Sequence, residues 1–140
     1  MVEGCQILVS NRYLLIVDDE SDITMLFRDA LKSIPGITIF TFTDPHIALE
    51  HFKTNISKYF LVISDLRMPV LNGMELLKKM RDLSSRVRTI LMTAFALDDK
   101  LFKEYAKSKI INGFLQKPIR LDDLRDEVNN QLHKYELTKN

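Results

Sequence analysis

The chain has 140 residues, 46% hydrophobic and 28% charged, with four glycines and four prolines. It is the size of one domain with a real apolar core, and this composition excludes a disordered or fibrous chain. Nineteen acidic residues against twenty basic ones leave a formal charge of +1, and no stripe of Lys or Arg is suited to tracking phosphates, which speaks against direct nucleic-acid binding.

No apolar run approaches the ~20 residues of a membrane span. Met1-Val2-Glu3-Gly4 lacks a basic flank and a signal-peptide core, and the lone Cys5 cannot close an internal disulfide. The expectation is a cytoplasmic protein with no membrane partner.

In chain order, Tyr13-Leu14-Leu15-Ile16-Val17 is an apolar run without polar alternation that stops on Asp18-Asp19-Glu20. It predicts a strand buried on both faces, as in a parallel sheet covered by helices. Ile23, Leu26, Phe27, Ala30 and Leu31 then recur at helical spacing behind an N-cap at Ser21 or Asp22, and Pro35-Gly36 ends that helix. Ile37 to Phe42 alternates as a second strand. Asp44-Pro45 supplies a cap and a first-turn proline for a helix to about Thr54, with Ile47, Ala48 and Phe52 inward.

Phe60-Leu61-Val62-Ile63 forms a third strand ending on Ser64-Asp65, and Asn72-Gly73 marks the turn before a helix carrying Met74, Leu76, Leu77 and Met80. Thr89 to Ala94 reads as the fourth strand and Asp98 to Lys107 as a more polar fourth helix. Gly113 to Gln116 is a short fifth strand closed by Lys117-Pro118. The last helix runs from Leu121 to about Tyr135, with Leu121, Leu124, Val128 and Leu132 on one stripe. Strands alternating with helices in this way predict an α/β fold, a parallel sheet wound by right-handed crossovers. Residues 12–137 form the domain, 138–140 a tail and 1–11 an N-terminal extension, in which Ile7-Leu8-Val9 either adds an edge strand or stays mobile.

Ligands of open α/β sheets bind beyond the carboxyl ends of the strands. That rule selects Asp18, Asp19, Asp65, Thr93 and Lys117. Three converging carboxylates repel one another and imply raised pKa values or a bound cation, and hard oxygen donors without His or Cys favour Mg²⁺. A carboxylate nucleophile, a metal, a hydroxyl and a lysine together suit phosphoryl transfer. Taken singly, Asp-Asp-Glu reads as helix capping, Asp65 as a loop residue and Lys117-Pro118 as a turn; their recurrence at successive strand ends overturns those readings.

Leu15-Ile16-Val17-Asp18-Asp19-Glu20, Ile63-Ser64-Asp65-Leu66-Arg67-Met68-Pro69 with Asn72-Gly73, Met92-Thr93-Ala94 and Phe114-Leu115-Gln116-Lys117-Pro118 together resemble the receiver domains of two-component response regulators, over roughly Arg12 to Leu137. The resemblance implies a flavodoxin-like, doubly wound five-stranded sheet of order 2-1-3-4-5. It implies that Asp65 is the phosphoacceptor, supplied by a histidine kinase, a phosphotransfer protein or a small phosphodonor. It also implies that Asp19 ligates Mg²⁺ directly, Asp18 through water and Arg67 through its backbone carbonyl. Lys117 would pair with the phosphoryl group. Thr93 and Phe114 would form the switch that alters a downstream partner's surface on the fourth helix, fifth strand and fifth helix.

The chain departs from the family pattern at Lys109-Ile110-Ile111-Asn112-Gly113, where Gly-Ala is common, and at Phe114, which lacks the hydroxyl of a tyrosine switch. Two other functions compete with phosphoacceptor signalling: a small aspartyl-phosphate phosphatase, disfavoured because such enzymes resemble Asp-x-Asp after the first strand, and a constitutive binding platform, which would not need the full acidic, hydroxyl and lysine set. His46, His51 and His133 lack metal-ligand spacing and read as surface residues, and the six methionines as core packing.

Overall fold

Successive side chains of a strand point to opposite faces, so a strand that is apolar on both faces is stable only between two covering layers. The computed structural model, which describes residues 12–94 and 100–138, puts the apolar runs in that position. The strands are β1 (Arg12–Val17), β2 (Ile37–Phe42), β3 (Tyr59–Asp65), β4 (Arg88–Thr93) and β5 (Gly113–Gln116). The helices are α1 (Ser21–Leu31), α2 (Pro45–Thr54), α3 (Gly73–Leu83), α4 (Lys100–Lys107) and α5 (Leu121–Leu137). All strands pair in parallel in the order β2-β1-β3-β4-β5, the doubly wound flavodoxin-like arrangement. The Ile7-Leu8-Val9 segment and the expected start of the fourth helix at Asp98 lie outside the described residues.

Period-two alternation divides the core in two. Leu15, Val17, Val62 and Leu91 pack with Ala48 and Phe52 of α2 and with Leu76, Leu77 and Met80 of α3. Leu14, Ile16, Leu61, Ile63, Ile90 and Met92 pack on the other face with Phe27 and Leu31 of α1 and Leu124, Val128 and Tyr135 of α5. A one-residue slip of β3, whose seven residues are all buried, would exchange both sets at once. Asp65, its last residue, is therefore carried on a strand that cannot slide.

Several side chains sit elsewhere than their spacing suggests. The buried stripe of α2 is Pro45, Ala48, Leu49 and Phe52; this i, i+3, i+4, i+7 set leaves Ile47 on the rim, 57% exposed. Leu26 and Met25 of α1 are likewise exposed, because Thr24, Phe27 and Leu31 take its inward face. His51 is not a surface histidine. Its ring lies 4.4 Å from Phe40, and its Nδ1 is 2.7 Å from the Tyr59 hydroxyl, whereas His46 and His133 are exposed.

The α1 N-cap is Glu20 rather than Ser21 or Asp22, and it makes no side-chain cap bond. The Asp18 carboxylate instead accepts the Glu20 N–H at 3.0 Å, so the acceptor comes from the strand end. The α2 start is as expected, with Asp44 accepting the His46 N–H. Asn72 and Glu75 form a reciprocal capping box on α3.

Candidate metal and phosphoryl site

The switch point of the sheet lies between β1 and β3, and the candidate residues collect at the carboxyl ends of those strands. Backbone bonds join the neighbouring ends. The Leu66 N–H donates to the Met92 carbonyl at 2.9 Å and the Lys117 N–H to the Thr93 carbonyl at 2.7 Å, tying β3 to β4 and β4 to the segment after β5. As a result Lys117 Nζ stands 2.9 Å from Asp65 Oδ1 and 3.5 Å from Asp18 Oδ2. Oxygens of Asp18, Asp19 and Asp65 all lie within 4.8 Å of one another. Asp18 is fully buried, Asp65 nearly so, and Asp19 is exposed.

Lys117 pairs with two of the three carboxylates, so the cluster carries excess negative charge. Burial, opposed by the Glu20 N–H bond and reinforced by the nearby Asp65 charge, pushes the Asp18 carboxyl up to about 6. For Lys117, burial works against the charge, but the hydrogen bond to Asp65 and the Asp18 charge outweigh it and hold its pKa above that of an ordinary lysine. Asp18 Oδ2 is buried and, beyond the 3.5 Å ion pair with Lys117, has no hydrogen-bond partner among the described residues. A buried carboxylate oxygen without a donor is costly. A buried hard oxygen held by one long ion pair, beside two further carboxylates, fits a divalent cation of the Mg²⁺ type better than a softer metal.

The remaining expected residues lie close by. Thr93 is the last residue of β4 and is buried, while Arg67, two residues past Asp65, is exposed. Phe114 of β5 pairs in register with Leu91 and sits half-buried against the α2/α3 side of the core.

Sequence reading missed two residues that shape the site. Ser64 is fully buried, and its hydroxyl donates to the Asp65 carbonyl at 2.9 Å. A Cβ on Gly73 would fall 2.1 Å from that same carbonyl oxygen, so Gly73 is required by close approach rather than by a left-handed turn. Nothing in an Asn-Gly pair distinguishes those two uses.

The family model described as the response regulator receiver domain matches residues 14–129. This chain belongs to that family. It is 30% identical over 122 residues to sporulation initiation phosphotransferase F of Bacillus subtilis (strain 168), covering 87% of this chain and 94% of that protein. It is 29% identical over 125 residues to hybrid signal transduction histidine kinase G of Dictyostelium discoideum, covering 84% of this chain and 3% of the kinase. The receiver domain spans about a third or less of most of the curated relatives it matches. A crystal structure of a response regulator receiver domain protein from Clostridium thermocellum superposes with a TM-score of 0.79 at 26% identity, covering 91% of this chain and 99% of that one. The chain is a receiver domain of the two-component type, a family of signalling phosphoacceptors. No helix among the described residues is long and apolar enough to cross a membrane.

Proposed function

We propose that residues 12–137 form a cytoplasmic receiver whose Asp65 accepts a phosphoryl group from a histidine kinase or a phosphotransfer protein. The observation that carries this reading is the 2.9 Å contact of Lys117 Nζ with Asp65 Oδ1 inside a cluster of three carboxylates. Asp18, Asp19, Asp65 and the backbone carbonyl of Arg67 would hold Mg²⁺. Bound there, the cation supplies neutralising charge to the phosphoryl oxygens.

The protein's own residues carry the rest. An Asp65 oxygen attacks phosphorus, the bond from phosphorus to the donor nitrogen breaks, and the electron pair leaves on the donor imidazole. Lys117, already on one Asp65 oxygen, neutralises charge that builds on the transferred group. The buried Thr93 hydroxyl and the Phe114 ring then respond. The phosphoryl oxygens accept from Thr93 and Lys117, and movement of Thr93 opens space for the ring to turn inward. The outer face of α4, β5 and α5 changes and selects a downstream protein partner, without direct contact with nucleic acid.

The test is mass spectrometry after incubation with acetyl phosphate and Mg²⁺. A single base-labile adduct mapped to Asp65, and absent from Asp65→Asn, is expected. Stoichiometric labelling of that variant at another residue would sink the assignment.

A further inference from the structure

The segment between β3 and α3 contains a backbone conformation that its sequence does not favour. Val70 has φ 72°, a left-handed value that crowds a Cβ and is rarest in β-branched residues. The Leu71 N–H donates to the Pro69 carbonyl at 2.7 Å, closing a three-residue turn around Val70. With positive φ at its centre, this is the rarer and more strained form of γ-turn.

The surroundings explain why the strain falls there. The Gly73 N–H donates to the Leu66 carbonyl at 2.8 Å, so both ends of the loop meet. Gly73 is pressed beneath the Asp65 carbonyl with no room for a Cβ, and Leu66 and Leu71 are anchored in the core. Pro69 cannot adopt positive φ because its ring locks it near −65°. The reversal is left to Val70. That side chain is 88% exposed and buries nothing that would offset the strain. Together with Pro69 it walls a cleft also lined by Asp19, Thr43, Asp44 and His46.

We infer that Val70 is a positioning residue that restrains metal binding. The left-handed turn closes the loop that carries Arg67, and a β-branched residue makes this closed form compete with a relaxed one in which φ is negative. The inference rests on the proposed Mg²⁺ site, because Arg67, whose backbone carbonyl would ligate the metal there, lies on this loop. Only the closed fraction binds, so apparent affinity falls by that fraction.

The experiment titrates Mg²⁺ into the full chain by calorimetry and records thermal midpoints without metal, for wild type, Val70→Asn, Val70→Gly and Val70→Ile. Asn and Gly tolerate positive φ, and each should bind Mg²⁺ more tightly, by at most the reciprocal of the wild-type closed fraction: about fivefold for a loop closed in about a fifth of metal-free molecules. Val70→Ile keeps the β-branch and should match wild type in both readouts. A higher midpoint for Val70→Asn with unchanged Mg²⁺ affinity would show that the strain is only structural and would overturn the inference, as would weaker binding by Val70→Asn. Wild-type protein that binds no Mg²⁺ would overturn the metal site itself, a separate failure.

Discussion

The two ends of the sheet carry polar clusters of opposite character. At the amino-terminal end, Asn112 Oδ1 accepts from the Thr89 N–H and from Arg81, each at 2.8 Å, and the Asn112 N–H donates to the Thr89 carbonyl. Arg88 donates to the fully buried Gln131, which donates to Glu127 at 2.6 Å. The Asn112 side chain adds a rung to the ladder just before β5 begins. At the carboxyl-terminal end of β1 and β3, three carboxylates crowd together, one lysine pairs with two of them, and the buried Asp18 Oδ2 has no hydrogen bond beyond its 3.5 Å ion pair with that lysine. A satisfied buried network rigidifies a fold. An unsatisfied one gives up stability that a ligand can restore, and on this chain it is found where the sheet topology places chemistry.

The sharpest way to break the contrast is at Gly73. Gly73→Ala forces a Cβ against the Asp65 carbonyl and should cost about 3 kcal/mol in urea denaturation while also lowering acetyl phosphate labelling of Asp65. Normal labelling would show that the loop can yield. Next in size is Asn112→Ala, which strands the buried Thr89 N–H and should cost about 2 kcal/mol. Because that network is distant from the site, the extent of Asp65 labelling should not change. A loss of labelling would mean that the two ends are coupled.

Asp18 should show the opposite sign. Its folded pKa, about 6 against an ordinary 3.8, means that the folded state favours the protonated carboxyl. This contribution is fully present below the unfolded pKa and is lost as pH rises through the folded one. In metal-free protein near neutral pH, Asp18→Asn should therefore stabilise by about 1–2 kcal/mol. The advantage should shrink as pH falls from about 7 toward the unfolded value. Equal thermal midpoints for the two proteins at every pH would refute the electrostatic account. In Mg²⁺ titrations Asp19→Ala should lose more affinity than Asp18→Ala, since Asp19 is proposed as the direct ligand; an unchanged affinity for Asp19→Ala would remove it from the site.

The smallest effect belongs to the switch. Complete burial of the half-buried Phe114 ring is worth at most ~2 kcal/mol, enough to bias a balanced equilibrium but not to drive a one-sided one. NMR should show Phe114 and the α5 face shifting when beryllofluoride binds, and shifting less in Thr93→Ala. Changes confined to Asp18, Asp19 and Asp65 would uncouple the switch from the site.

Much of this was legible in the sequence because it depends on local pattern. Continuous apolar runs in β1 and β3, the Asp44-Pro45 helix start and the acidic, hydroxyl and lysine residues at strand ends each follow from side-chain periodicity or from one topological rule. Which face of α2 carries Ile47 was not legible, because two overlapping apolar stripes differ by one position and only packing against β1 and β2 chooses between them. His51 looked like a surface residue until long-range pairing brought Tyr59 and Phe40 beside it. Gly73 and Val70 are the clearest cases. The sequence marks a turn after Asp65, but closure of the loop between two anchored leucines and the Asp65 carbonyl determines that Gly73 must lack a Cβ. The same closure leaves Val70 to take the left-handed backbone, because strain settles wherever the anchored parts of the chain cannot move.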